Sequence, residues 1–506
     1  MDRQEGSLNR RHFLRQSGCA ALGVTGLVNS LSHLLLTEKA LAQSTYALGD
    51  YKALVVLFLF GGNDSNNTLI PAAGHPARSN YQKGRGILAI PADQLHPLHT
   101  PSAANSQYGL HPNLAAMAAL FNQQDLAFVA NVGTMVEPIP NRDAYLKKTV
   151  ILPPKLFSHS DQQLQWQSSV PDQPFTSGWG GRVADLLNPA HNNTSNISMS
   201  ISLSGVNRLQ VGHDVIQYMV SESGITEFAD AGYGHGYASA LDGSGGYRNN
   251  NQGRRLRAFE QIMAYSHAHL LEEGYNNVVR RARQAEGFVG DALAQADASV
   301  VDFDFFFQNA TSALGRRLKM IARLIAGRDA LSNERQIFFV SIGGYDNHAG
   351  QTVAHGNLMT ELGESLRAFS NTLKVMQVND KVMTVTHSDF ARTFTANKED
   401  IDSAGSDHAW GGHQIVMGGP VDGGKIYGTF PDLAIQGKDD ADNKGRGRWI
   451  PTTSVEQYQA VATNWLGVSA EDLHAIFPNL NRFEDPFSSA ANLGYVAQSG
   501  QSAQRR

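Results

Sequence analysis

Apolar residues fall in short dense runs separated by glycine-rich and polar stretches. The most strand-like run is YKALVVLFLF, residues 51–60. It is apolar on both faces, which predicts a central strand of a largely parallel sheet. DLAFVANV (125–132), IFFV (337–340) and VMTV (382–385) read as further buried strands. NISMSISLS (196–204) alternates and reads as another strand. Between the first two runs, LHPNL opens a helix with Leu114, Met117, Leu120 and Phe121 on one face. That strand–helix–strand spacing predicts a βαβ unit.

Longer periods appear elsewhere. Residues 155–168, KLFSHSDQQLQWQS, read as a helix start, with Ser158 or Ser160 as the cap and Gln or Asp three residues on. SGWGGR, beginning at Ser177, leads into another short helix, and residues 455–466 form a helix with Trp465 in its final turn. From about Val211 to Arg328 the pattern changes. A Gly/Asn-rich loop (232–253) precedes two helical stripes, one through Leu256, Phe259, Met263 and Leu270, the other through Leu314, Leu318, Ile321 and Ile325. The division predicted is an α/β core split between 43–210 and 330–491, a mainly helical insertion at 211–329, and a disordered tail at 492–506.

Composition narrows the class. The chain has 506 residues, 42% hydrophobic and 17% charged, enough for one large globular domain or two smaller ones. A formal net charge of -5 and the lack of a long basic run argue against a nucleic-acid partner. Residues 1–42 read as an export signal. SLNRRHFLR carries a twin arginine, an apolar stretch follows over 18–36, and Ala40-Leu41-Ala42 makes a cleavage site. Asn29, Ser30, Ser32 and His33 interrupt the apolar stretch, so no permanent membrane span is predicted. The expectation is a periplasmic or secreted protein that meets the twin-arginine export machinery. The only cysteine, Cys19, lies in the signal, so the mature chain has no disulfide.

Candidate chemistry gathers after the strands. IFFV leads to Asp346 and His348, VMTV leads to His387 and Asp389, and the loop GSDHAWGGH carries Asp407, His408 and His413. Ligands in parallel sheets sit beyond the carboxyl ends of the strands. Carboxylates and imidazoles without a thiol suit a divalent metal such as zinc, manganese or calcium, as one or two ions. Asp64, in the turn GGNDSNN, is a further candidate ligand. Any one of these could instead be a cap or turn residue; three clusters in corresponding places favour a site. Ser158 at a helix start is either a plain cap or a nucleophile beside an anion-favouring helix terminus. Asp440, Asp442 and Gly445 suggest a calcium loop, but Lys444 and Pro451 stand where oxygen ligands are needed, so a solvated loop is predicted.

Several motifs occur together and in order: the twin-arginine signal, VVLFLFGGNDSNN, GLHPNL, FSHSDQQ, SGWGGR, GGYDNHAGQ, SDFARTFTAN, GSDHAWGG, and RGRWIPTTSVEQYQAVATNWLG with IFPNL. In these the chain resembles the bacterial family known as domain of unknown function 1501, over nearly the whole mature sequence. The resemblance implies the fold of the alkaline phosphatase and sulfatase superfamily. That fold is a three-layer α/β sandwich with a largely parallel central sheet, here with a helical insertion. It also implies cleavage of phosphate or sulfate esters with one or two metals and a hydroxyl nucleophile at a helix N-terminus. Carried over by residue, Asp64 matches the carboxylate after the first strand. Asp346 and His348 look like an Asp/His pair, spaced more closely than usual. His408 or His413 resembles the final metal histidine. Asp389 stands where an Asp-His pair is expected, but Phe390 follows, so one metal fits more easily than two.

The function expected is therefore an exported metal-dependent hydrolase of small phosphate or sulfate esters. Ser158 or an activated water attacks, and Arg392 or Arg182 grips a non-bridging oxygen. The alternative is a catalytically degenerate relative that binds an envelope component as a scaffold. A serine esterase using Ser65 is disfavoured, since no G-x-S-x-G elbow occurs.

Overall fold

The structure, a computed structural model, describes residues 51–99, 107–193, 195, 197–224, 237–242, 246–264 and 285–497. The segment expected to be an export signal, Leu270, the glycine-rich residues 232–236 and the end of the chain lie outside these.

The described residues form twelve strands: β1 Lys52–Leu59, β2 Leu69–Pro71, β3 His96–Pro97, β4 Tyr108–Leu110, β5 Leu126–Gly133, β6 Ser200–Ser202, β7 Tyr218–Met219, β8 Arg335–Ile342, β9 Val382–Ser388, β10 Gly412–Met417, β11 Ile426–Gly428 and β12 Thr453–Ser454. Nine form the main sheet, in the order β11-β5-β10-β9-β1-β8-β6-β7, with β12 also on β5. β2, β4 and β3 make a small antiparallel sheet. In the main sheet only β10 is reversed, antiparallel to both β9 and β5. The protein is thus α/β with a mostly parallel, mixed central sheet.

β1 lies at the centre, parallel to β8 on one side and β9 on the other, with Leu54 opposite both Ile337 and Met383. Its alternate residues feed two cores. Ala53, Val55, Leu57 and Leu59 pack with Leu314, Leu318, Met359 and Leu366, while Leu54, Val56 and Phe58 pack with Trp179, Leu186, Tyr458 and Val461. Helices Ala313–Ala326 and Gln351–Val375 therefore cover one face, and Trp179–His191 and Val455–Leu466 the other. A strand covered on both faces has no use for polar alternation, which is why its sequence is a solid apolar run.

Three expectations change. The helix Ala115–Asn122 follows β4 of the small sheet, and β5 is separated from β1 by β10 and β9, so the unit is not a simple crossover between neighbouring strands. β7 lies in the region expected to be helical insertion, yet it extends the main sheet through β6. The stripe Leu314, Leu318, Ile321 and Ile325 is fully buried, as its period predicts. Finally, residues 493–497 are packed and not loose: Leu493 and Tyr495 are buried, and the Tyr495 hydroxyl donates to the Tyr458 carbonyl at 2.5 Å. Among the described residues no helix is long and apolar enough to cross a membrane.

Candidate metal centre

The carboxyl ends of β1, β8 and β9 open onto one cluster. The loop after β8 brings Asp346 and His348. The turn after β9 brings Asp389 and Arg392, and the chain then returns through Asp407 and His408 to β10. That return is pinned by backbone pairing: Ala409 N–H donates to the Ala391 carbonyl at 2.8 Å, and Thr393 N–H to the Asp407 carbonyl at 2.8 Å. The pairing sets Arg392 beside His408. His159 arrives from the other face, as first residue of the helix His159–Ser168. Gly61, at φ +113°, allows the close approach, since a Cβ there would stand 2.5 Å from the Asp346 nitrogen.

Three imidazoles turn the same edge inward. His159 Nε2 lies 3.0 Å from His408 Nε2, and His348 Nε2 lies 3.1 Å from it. Asp346 completes the group: its Oδ1 is 3.0 Å from His348 Nε2 and 3.3 Å from His408 Nε2, and its Oδ2 is 3.5 Å from His159 Nε2. Each ring is held from behind through Nδ1. His159 Nδ1 meets Asp389 Oδ2 at 2.6 Å, His348 Nδ1 meets Asp407 Oδ1 at 3.1 Å, and His408 Nδ1 meets the Phe157 carbonyl at 2.8 Å. An oxygen acceptor at Nδ1 places the proton there and leaves the Nε2 lone pair facing inward.

That arrangement suits a cation. A proton can bridge one pair of nitrogens, but His408 Nε2 is approached by two nitrogens and a carboxylate oxygen. Tetrahedral coordination with bonds of about 2.0–2.1 Å has ligand–ligand edges of roughly 3.3–3.4 Å. The observed separations lie close to those edges. The group whose donor atoms all lie within 4.8 Å of one another is His159, Asp346 and His408; His348 adjoins it through His408 and Asp346 but is not part of that group. Part of the site is open: the side chains of Asp346 and His348 are each 44% exposed. Structural zinc sites are closed, whereas catalytic ones keep an accessible position.

The surrounding charges act on the three groups differently. The bond to Asp389 raises the His159 pKa above its ordinary value against the opposing effect of burial. Burial lowers that of His408, helped by the nearby His159 and Arg392. Burial works to raise Asp346, but the Arg392 hydrogen bond at 2.6 Å and its charge outweigh it, and the carboxyl is held below its ordinary value. Asp346 is therefore an anion facing three imidazoles.

Over residues 51–443 the sequence matches the family described as Protein of unknown function (DUF1501). The chain belongs to this family. A search of curated proteins finds no match for it. In this DUF1501 protein the matched span contains the whole cluster.

The other expected site residues take different places. Asp389 and Asp407 lie behind the rings; Asp389 also accepts from Gln163 Nε2 at 2.8 Å and Gly61 N–H at 3.2 Å. Asp64 is buried, and its Oδ2 accepts from Arg85 and from Gln351 Nε2, each at 2.5 Å. Ser158 stands at the N-cap position but makes no capping bond with its side chain; its hydroxyl donates to Asp161 Oδ2 at 2.6 Å. Arg392 is spent on Asp346 and the carbonyls of Gly61 and Ser406. His413 is outside the cluster: its Nδ1 accepts from Asn131 N–H at 3.1 Å, and its ring stacks on Phe430. Arg182 is a buried strut whose donors reach the carbonyls of Ser168, Ser177 and Ile476. His387 lies among Trp166, Trp179 and Tyr458, and burial lowers its pKa to about 3. The loop expected to be solvated is not: Asp440 and Asp442 are buried and accept backbone N–H groups of residues 436, 442, 444, 446 and 448. His159 is the residue the sequence reading missed. Its signal lay inside FSHSDQQ, next to the serine that drew attention, with Gln163 one turn on to share Asp389.

Proposed function

We propose that this DUF1501 protein is an exported hydrolase of phosphate or sulfate esters that works with one transition metal. The metal would be held by Nε2 of His159 and His408 and by the Asp346 carboxylate, with His348 beside them. The observation that carries the reading is the set of three Nδ1 atoms, each spent on an oxygen behind its ring. A donor set of imidazole nitrogens and one carboxylate favours zinc or manganese over calcium, which takes six to eight oxygens. A bound metal supplies Lewis acidity toward an ester oxygen and activates water.

The protein's own residues do the rest. Asp389 and Asp407 fix the tautomers and headings of two rings, and the Phe157 carbonyl those of the third. Arg392 keeps Asp346 ionised and in place. Arg446, a third exposed and 3.4 Å from Asp407, stands at the edge of the site, where a guanidinium suits non-bridging oxygens. The Ser158 hydroxyl is committed to Asp161, which supports water over serine as the attacking group. A site beyond the carboxyl ends of a mostly parallel sheet supports an alkaline phosphatase-like assignment of the fold.

The test is elemental mass spectrometry on protein purified without chelators, paired with turnover of p-nitrophenyl phosphate and p-nitrophenyl sulfate. A near-stoichiometric transition metal, lost in His159→Ala and His408→Ala along with turnover of either ester, is the expected result. A folded protein that takes up no metal would reject the reading and favour an envelope binding role.

A further inference from the structure

A second cavity, of about 330 Å³, opens at the start of the helix Gln351–Val375. It shares no lining residue with the histidine cluster. Its size falls in the ordinary range for small-molecule sites. Ile87, Val353 and Ile401 line it while remaining exposed, Val353 at 72%. Three exposed branched apolar side chains around one opening are an unusual use of surface. No lining residue carries a formal charge; the polar ones are amides, a threonine and the imidazoles of His111 and His355.

His111 gives the cavity its direction. It is buried, with 8% exposure. Its Nδ1 accepts the Asn113 N–H at 3.0 Å, so a neutral ring carries its proton on Nε2. Burial keeps the ring neutral, lowering its pKa to about 3. The Nε2–H has no hydrogen-bond partner among the described residues. The Cε1 edge of the ring faces Gly356, another lining residue, at 3.7 Å from where a Cβ would stand. Gly356 thus leaves room beside the unused donor. The first turn of the helix adds the backbone N–H groups of Thr352 and Val353, which have no partner in the chain among the described residues.

We propose that this cavity binds an uncharged, mainly apolar molecule carrying an acceptor oxygen, which takes the His111 Nε2–H. Donors alone would also suit an anion, and the magnitudes decide against one. A helix terminus attracts an anion only weakly. Withdrawing a charge from water with no counter-ion costs several kcal/mol. The apolar rim takes the carbon skeleton.

Three probes of equal length separate the possibilities: hexanamide, hexanoate and hexylammonium, titrated against the full chain by saturation-transfer NMR. Hexanamide should bind at least about tenfold more tightly than either ion. Its binding should fall about fivefold in His111→Phe, the loss of one hydrogen bond, and further in Val353→Asp. Because Val353 is exposed, the second variant keeps the fold even where the first does not. Hexanoate binding as well as hexanamide, no hexanamide binding at all, or hexanamide binding unchanged by Val353→Asp would each overturn the proposal. None of these measurements depends on the metal, so they stand or fall apart from the hydrolase reading.

Discussion

Asp389 never needs to touch a substrate to matter. It accepts from His159, Gln163 and Gly61, and so fixes which nitrogen of His159 is available. Removing such a partner costs metal sites about 10–100-fold in affinity. Asp389→Asn should show a loss of that order in a competition titration with a chromophoric chelator, with the far-UV circular dichroism unchanged. Glu456 is a residue of another kind. It is fully buried, and burial raises its pKa from 4.5 to about 8 against the opposing pull of its own backbone N–H and the Ser454 hydroxyl. The sign follows from proton counting. Between those values the unfolded chain has released the proton and the folded chain keeps it, so stability is present below pH 4.5 and drains away as pH rises toward 8. Glu456→Gln removes that dependence. Its stability relative to the parent should improve between pH 5 and pH 8, by up to several kcal/mol in urea titrations; a difference that does not vary with pH would count against a protonated Glu456.

Elements succeed or fail here through backbone contact as much as through side chains. The helix Trp179–His191 begins where Gly178 and Gly181 lie against the chain at residues 208–212. A Cβ on Gly181 would stand 2.1 Å from the Val211 carbonyl, and the obstacle is backbone on both sides. Gly181→Ala should therefore cost about 3 kcal/mol or more, read as a lower urea midpoint. Arg182 ties the same helix to Ile476 and Ser168, so a change at Gly181 strains those bonds too. Legibility divides along similar lines. The strands β1, β5, β8 and β9 were plain in the sequence because both faces of each are covered and each carries a dense apolar run. The reversal of β10 was not, because GHQIVM carries no mark of direction and its orientation depends on the hairpin-like return from Asp389. Asp346, His348 and His408 were legible as loop residues after strands. His159 was hidden because it belongs to a helix on the opposite face, and only three-dimensional packing brings that helix end over β9. Asp64 looked the same as Asp346 in sequence. What separates them is Arg85, whose guanidinium claims the Asp64 carboxylate in the interior.

Across the whole molecule, the cluster joins segments near residues 159, 346, 389 and 408, so it is complete only when most of the sheet is. Ligands drawn from separate elements bind a metal as one unit only in the folded state, and metal binding then adds to folding stability. Stoichiometric zinc or manganese should raise the thermal midpoint of the parent chain, and the rise should vanish in His408→Ala. A shift of equal size in that variant would place the ion elsewhere.

The pairing of Lys52 with Arg335 sets a timetable for synthesis. β1 leaves the ribosome early, while both of its sheet neighbours, β8 and β9, are still untranslated. At ordinary elongation rates that delay lasts tens of seconds. Throughout it the most apolar strand of the protein has two unpaired edges, the form most open to adventitious pairing with other chains. Nascent chains stopped before Arg335 should therefore depend on a holding chaperone to stay dispersed, and release from it should come only after β9 has emerged.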